Sequence, residues 1–154
     1  MYLAYLFVIA LLVSVDQFSK QVVATYLTIG EKKEIIPDFF YLNHVHNTGA
    51  AWSMFDGQKT IFIVVTILAI IGFAYMLLKN KNEKLINKVS FLLMIGGAIG
   101  NLIDRLTYGY VIDFLDFYII NYDYPVFNLA DAFLVIGVIL YLINIIWENS
   151  NAKN

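Results

Sequence analysis

Eight polar residues set among apolar neighbours can carry chemistry in this chain: Asp16, Asn47, Asn101, Asp104, Arg105, Asp113, Asn128 and Asp131. Asp113 and Asp131 are the reactive candidates. Two carboxylates about 3 Å apart cannot both ionise cheaply, so they share a proton and titrate as a unit. Such a pair can hold a water. Its ionised member takes the water's proton while the neutral member protonates or polarises a scissile carbonyl. Neither a metal nor a covalent intermediate is needed, and no cofactor is expected. The chain has no cysteine, which excludes disulfides, a thiol nucleophile and a cysteine zinc site. It also has neither the His-Glu-x-x-His nor the Gly-x-Ser-x-Gly pattern. His44 and His46 alternate on one expected strand, but no histidine–carboxylate cluster accompanies them, so a metal site is disfavoured.

Six of the eight also have a plainer reading. Asp16 and Lys20 have the spacing of a helix ion pair. Asn101, Asp104 and Arg105 share a helix face, and Asp104 with Arg105 can form an interfacial charge pair. Asn128 and Asp131 fit a helix cap followed by an acid in the first turn. Asp116 and Asp123 read as solvated loop residues. Gly96, Gly97 and Gly100 give the small-residue spacing of a close helix contact.

The elements that position these groups are membrane spans. The chain has 154 residues, 60% hydrophobic and 14% charged, where a soluble domain carries about 25% charged residues. That length allows a single domain. The net charge of −2 gives no nucleic-acid surface. A bilayer core about 30 Å thick needs about 20 apolar residues in a helix. Four segments approach this, near 2–27, 60–78, 89–106 and 128–147. The first lacks the basic leader and clean cleavage site of a signal peptide, and is expected to stay as a span. Outer segments 28–59 and 107–127 read as short strands and turns able to pair. The fold expected is an all-α membrane protein: four transmembrane helices with a small extracytoplasmic β-structure and loop.

Loop charge gives the orientation. Residues 79–88 hold four lysines and one glutamate, which makes this loop cytoplasmic. Residues 20–59 also have four lysines, but spread out and balanced by four acids. Both termini are then expected in the cytoplasm. In that topology all eight polar groups gather at the outer ends of the helices and in the outer loops. An Asp, Lys or Arg at a helix centre costs about 2.5–3.5 kcal/mol, and independent tolerance of interface polarity would scatter such groups to both ends.

Five motifs occur in order: DQFSK (16–20), NTGAAWS (47–53), GAIGNLIDR (97–105), VIDF (111–114) and FNLAD (127–131). Together they resemble the bacterial lipoprotein signal peptidases, or signal peptidase II, over about residues 10 to 140. The resemblance implies an aspartyl endopeptidase of the bacterial cytoplasmic or inner membrane. It would remove the signal peptide from diacylglyceryl-modified prolipoproteins, cutting just before the lipidated cysteine, and would be the target of globomycin. It places the catalytic aspartates at Asp113 and Asp131. The supporting polar shell falls on Asp16, Asn47, Asn101, Asp104, Arg105 and Asn128. The expected partners are the prolipoprotein substrate and membrane lipid, with no nucleic acid and the chain acting as a monomer. Two other classes stay open on the residues alone: a proton- or ion-coupled carrier using the acids as a relay, and a structural subunit whose polar groups only join helices. A carrier needs acids across the membrane depth, and the second span has none.

Overall fold

The computed structural model describes residues 2–49, 59–79, 83–120 and 122–151. The elements run α1 (Tyr2–Tyr26), β1 (Lys32–Ile36), β2 (Phe40–Asn47), α2 (Lys59–Lys79), α3 (Leu85–Thr107), β3 (Val111–Ile119), β4 (Tyr122–Asp123) and α4 (Leu129–Asn151). All four helices are long and apolar enough to cross a membrane. The third begins at Leu85, earlier than the apolar run suggested, and the fourth continues to Asn151. Residues 50–53 of the second motif and 80–82 of the lysine-rich loop lie outside the described residues.

α3 is the central helix. Most of its spanning stretch is buried, whereas α1, α2 and α4 turn most of theirs outward. Lipid is as apolar as leucine, so hydrophobic transfer does little to join such helices; close packing and interhelical hydrogen bonds do. The sequence provides for close packing. A side chain at Gly97 would strike the carbonyl oxygen of Ala130, and one at Gly100 would meet the Asp16 carboxylate at 2.5 Å. One at Gly96 would meet Leu12 at 2.9 Å. The glycine spacing therefore marks a close contact as expected, and α3 makes it with two partners, α1 and α4. α2 joins through an apolar cluster of Leu77 with Phe91, Leu92, Met94 and Ile95.

The segments after the first and third helices do pair. The strands form one four-stranded sheet in the order β1-β2-β3-β4, with β2 and β3 antiparallel and Val45 opposite Asp113. The sheet sits at the end of the bundle where α3 finishes and α4 starts. α3 stops at Gly109, whose φ of +88° is open to glycine and turns the chain into β3. Past β4 the chain is clasped back onto β3. Phe127 N donates to Leu115 O at 3.0 Å, and Leu115 N donates to Phe127 O at 2.8 Å. This clasp sets Asp113 beside the start of α4.

Asp116 corrects the sequence reading. It is not a solvated loop residue: it is 1% exposed, paired with Lys32 at 2.8 Å and bonded by Asn43 Nδ2 at 2.9 Å. Residues 111–119 form an interior strand of the sheet, and β1 brings its lysine across β2 to reach this carboxylate. Asp123 is exposed as expected and accepts a bond from the Tyr118 hydroxyl at 3.1 Å.

Candidate active site

The start of α4 organises the site. Asn128 precedes the first helical residue and its Oδ1 accepts from Asp131 N at 2.9 Å, while Asn128 N donates to Asp131 Oδ2 at 3.2 Å. These are the reciprocal bonds of a capping box, so the cap expected from sequence is present. The Asn128 side chain does more than cap. Its Nδ2 donates to Asp113 Oδ1 at 2.6 Å and to Asn101 Oδ1 at 3.1 Å. One fully buried asparagine thus bonds both aspartates.

The remaining carboxylate oxygens are also held. Asn47 Nδ2 donates to Asp113 Oδ2 at 2.8 Å, and Asn47 Oδ1 accepts from Gly49 N at 3.0 Å, which fixes its amide. Asn101 Nδ2 donates to Asp131 Oδ1 at 2.7 Å. Both aspartates line one cleft of about 380 Å³, together with Asn47, Phe62, Arg105 and Phe127. Arg105 is half-buried, and its guanidinium lies 5.1 Å from the centre of the Phe62 ring. Burial, and then the negative charge of Asp131, push the Asp113 carboxyl up to about 7, against the opposing bonds from Asn47 and Asn128. A carboxyl in that range can hold or release a proton near neutrality.

Behind this pair lies a second buried cluster. Lys20 Nζ sits 2.9 Å from Asp16, 3.0 Å from Asp104 and 3.0 Å from Asn101 Oδ1. Lys20 is 1% exposed and Asp16 is fully buried. The expected Asp16–Lys20 pair is therefore real, but it is shared with α3. Asp104 turns to Lys20 and to Gln17 Nε2 at 2.8 Å, while Arg105 faces the cleft. Consecutive helix positions point about 100° apart, so these neighbours serve different partners rather than each other. Asp16 Oδ1 accepts from Ala130 N at 3.0 Å and Asp104 Oδ2 from Ile112 N at 3.1 Å. The cluster thus anchors the first turn of α4 and the start of β3, the two elements that carry the aspartates.

All eight residues singled out in the sequence meet in this region. Lys20 and Gln17 were not among them. The signal for Lys20 was its place four residues after Asp16 within an apolar helix; that for Gln17 was only its place in the DQFSK motif. His44 and His46 lie on the face of β2 opposite Asn47. His44 Nδ1 meets Leu27 O at 2.9 Å, and the His46 ring stacks on Tyr110 at 3.7 Å.

Known proteins resemble this chain in sequence and fold. A family model described as signal peptidase (SPase) II matches residues 8–147. The lipoprotein signal peptidase of Staphylococcus aureus is 41% identical over 139 residues, spanning 90% of this chain and 85% of that protein. The protein of the same name from S. aureus strain JH9 is 41% identical over 138 residues, with the same coverage. Two solved structures, each described as a bacterial membrane enzyme, also match. One has a TM-score of 0.90 at 38% identity, covering 96% of this chain and 90% of its own. The other has a TM-score of 0.84 at 39% identity, covering 92% of each chain. With its four apolar helices, the chain is a multi-pass membrane protein, and it belongs to the signal peptidase II family, the lipoprotein signal peptidases.

Proposed function

We propose that this protein is an aspartyl endopeptidase that removes the signal peptide from diacylglyceryl-modified prolipoproteins, with Asp113 and Asp131 sharing one proton around a water. The observation that carries the reading is the bonding of both buried carboxylates by Asn128 at one cleft. The ionised carboxylate takes a proton from the water as its oxygen attacks the scissile carbonyl. The other carboxylate gives its proton to that carbonyl oxygen. Collapse of the resulting tetrahedral diol returns a proton to the leaving amine and breaks the C–N bond. Arg105 and Asn47, on the cleft wall, bond the extended substrate backbone. Asn101 and Asn128 orient the carboxylates, and Asp16 and Asp104 hold the elements beneath them.

The cut falls just before the lipidated cysteine. The signal helix and acyl chains lie against the outward faces of the spans, and the sheet forms a cradle over the site. The lysines of residues 79–88 support cytoplasmic termini, which puts the cleft at the outer face of the bacterial cytoplasmic membrane. One copy of the chain contributes both aspartates, which suits a monomer. Among the described residues the acids of the site gather at one end of the bundle, which disfavours a relay crossing the membrane.

Protein reconstituted in lipid vesicles is expected to cut a diacylglyceryl-modified prolipoprotein directly before the modified cysteine, as read by mass spectrometry, with or without chelator. Equal cutting of the unlipidated precursor, a cut elsewhere, or chelator inhibition reversed by a metal would each overturn the reading.

The pH dependence has a defined sign. With Asp113 pushed up to about 7, the pair keeps its shared proton up to that pH. Above it Asp113 is ionised and can no longer donate, so the cleavage rate is expected to fall as pH rises through about 7. Stability shifts the same way. The folded Asp113 holds its proton more tightly than in the unfolded chain, where it titrates near 3.8. Its contribution is full below 3.8 and is lost as pH rises through about 7. A rate that climbs from pH 6 to 9 would be incompatible with a pair that needs one proton.

A further inference from the structure

Ile120 stands where neither turn chemistry nor water favours it. It is 95% exposed, more than any other large apolar side chain among the described residues, and its φ is +48°. A β-branched residue rarely takes that left-handed conformation, which turns normally give to glycine or asparagine. Its neighbours share the character. Ile119, Tyr122 and Tyr124 are each about half exposed, and so is Phe39 on the adjoining hairpin, whose carbonyl accepts from Tyr118 N at 2.9 Å.

The groove beneath shows which way this tip points. Phe117 and Ile119 of β3 share a groove of about 400 Å³ with Val135 and Ile136 of α4. Those α4 residues lie about 10 Å along the helix from its start, at 1.5 Å per residue. They are on its outward side, 56% and 47% exposed, in a helix apolar enough to span. β3 therefore runs back alongside a lipid-facing helix and does not rise clear of it.

We propose that the tip of the β3–β4 hairpin dips into the bilayer leaflet at this end of the bundle, with Ile119 and Ile120 among the upper acyl chains and Tyr122 and Tyr124 at headgroup level. Tyrosine suits that boundary, and the exposed Asp123 is held by the Tyr118 hydroxyl at the same level. The depth of the tip stands apart from the catalytic reading. If that reading holds, the dip also fixes the height of the Leu115–Phe127 clasp, and so of Asp113, against the layer that delivers a lipid-modified substrate.

The absence of cysteine from the chain makes the test direct. Nitroxide-labelled Ile120→Cys and Ile119→Cys proteins are reconstituted in phosphatidylcholine–phosphatidylglycerol vesicles. Their collisions with oxygen, which concentrates in hydrocarbon, are compared with those of a water-soluble nickel chelate. Leu68→Cys, midway along α2 and 63% exposed, marks the lipid limit; Asn151→Cys, at the polar end of α4, marks the aqueous limit. Oxygen excess at both 119 and 120, with the sign found at 68, is the expected result. Nickel excess at either, as at 151, overturns the proposal. Ile119 has strand backbone, so one reading does not depend on the left-handed turn. Neither reading depends on cleavage, so failure here leaves the peptidase assignment standing, and failure of that assignment leaves the depth measurement intact.

Discussion

Asp113→Asn and Asp131→Asn are each expected to lower the cleavage rate by roughly 10²–10⁴-fold or more, the usual contribution of positioned acid–base groups. Either change leaves a single carboxyl, which cannot accept the water's proton and supply one to the carbonyl at once. The substitution is close in shape, but it has a structural cost. Asp113 accepts from Asn47 Nδ2 on one oxygen and from Asn128 Nδ2 on the other. An asparagine there must turn its own N–H toward one of these donors. The effect on chemistry must therefore be separated from the effect on folding. Asp116→Asn is the comparison, since that residue lies on the same strand, is equally buried and has its own ion pair with Lys32. It is expected to lower the unfolding temperature and leave the rate per folded molecule close to the unmodified value. Rates normalised to folded protein decide the matter. Near-normal cleavage by either dyad variant would end the two-aspartate mechanism.

Lys20→Met is expected to be strongly destabilising. It leaves Asp16 and Asp104 buried without their shared cation, and breaking a buried pair in this way costs about 3–5 kcal/mol. Activity is expected to fall too, by a separate route. Asn101 Oδ1 accepts from both Lys20 and Asn128, which keeps its Nδ2 aimed at Asp131. Without Lys20 the Asn101 amide loses one of the two bonds that fix its sense. Adding Asp104→Asn to Lys20→Met removes one stranded charge, so it should return part of the lost stability without restoring the rate. Thermal unfolding in detergent and cleavage of a lipidated precursor report the two effects independently. A Lys20→Met protein that unfolds at the unmodified temperature would show that water reaches this cluster and that its burial counts for little.

The spans, the helix cap and the aspartate pair were legible because polar groups in apolar segments are costly and so stand out. The sheet was legible only as pairing potential. Its consequence for Asp116 was not, because nothing local shows that β1 will carry Lys32 to it. Lys20 illustrates a different gap. Its spacing from Asp16 is visible, but the sequence does not reveal that α3 approaches closely enough to add Asp104 and Asn101. The glycines at 96, 97 and 100 announce a close contact and leave its partners unnamed. Asp104 and Arg105 are adjacent in sequence, which suggested a pair; helical rotation separates them. The cleft wall at Phe62 carried no signal, since an aromatic residue near a span end is ordinary.

The Asn128 cap has a bearing on when the protein becomes able to cut. The bonds that start α4 are the bonds that align the two aspartates, and the Leu115–Phe127 clasp holds Asp113 beside them. On the proposed mechanism, a newly inserted chain whose last helix has not docked has two separate, solvated carboxyls and no means of hydrolysis. Competence then arrives with the final step of assembly, and a partly folded copy in a membrane full of other proteins is harmless to them.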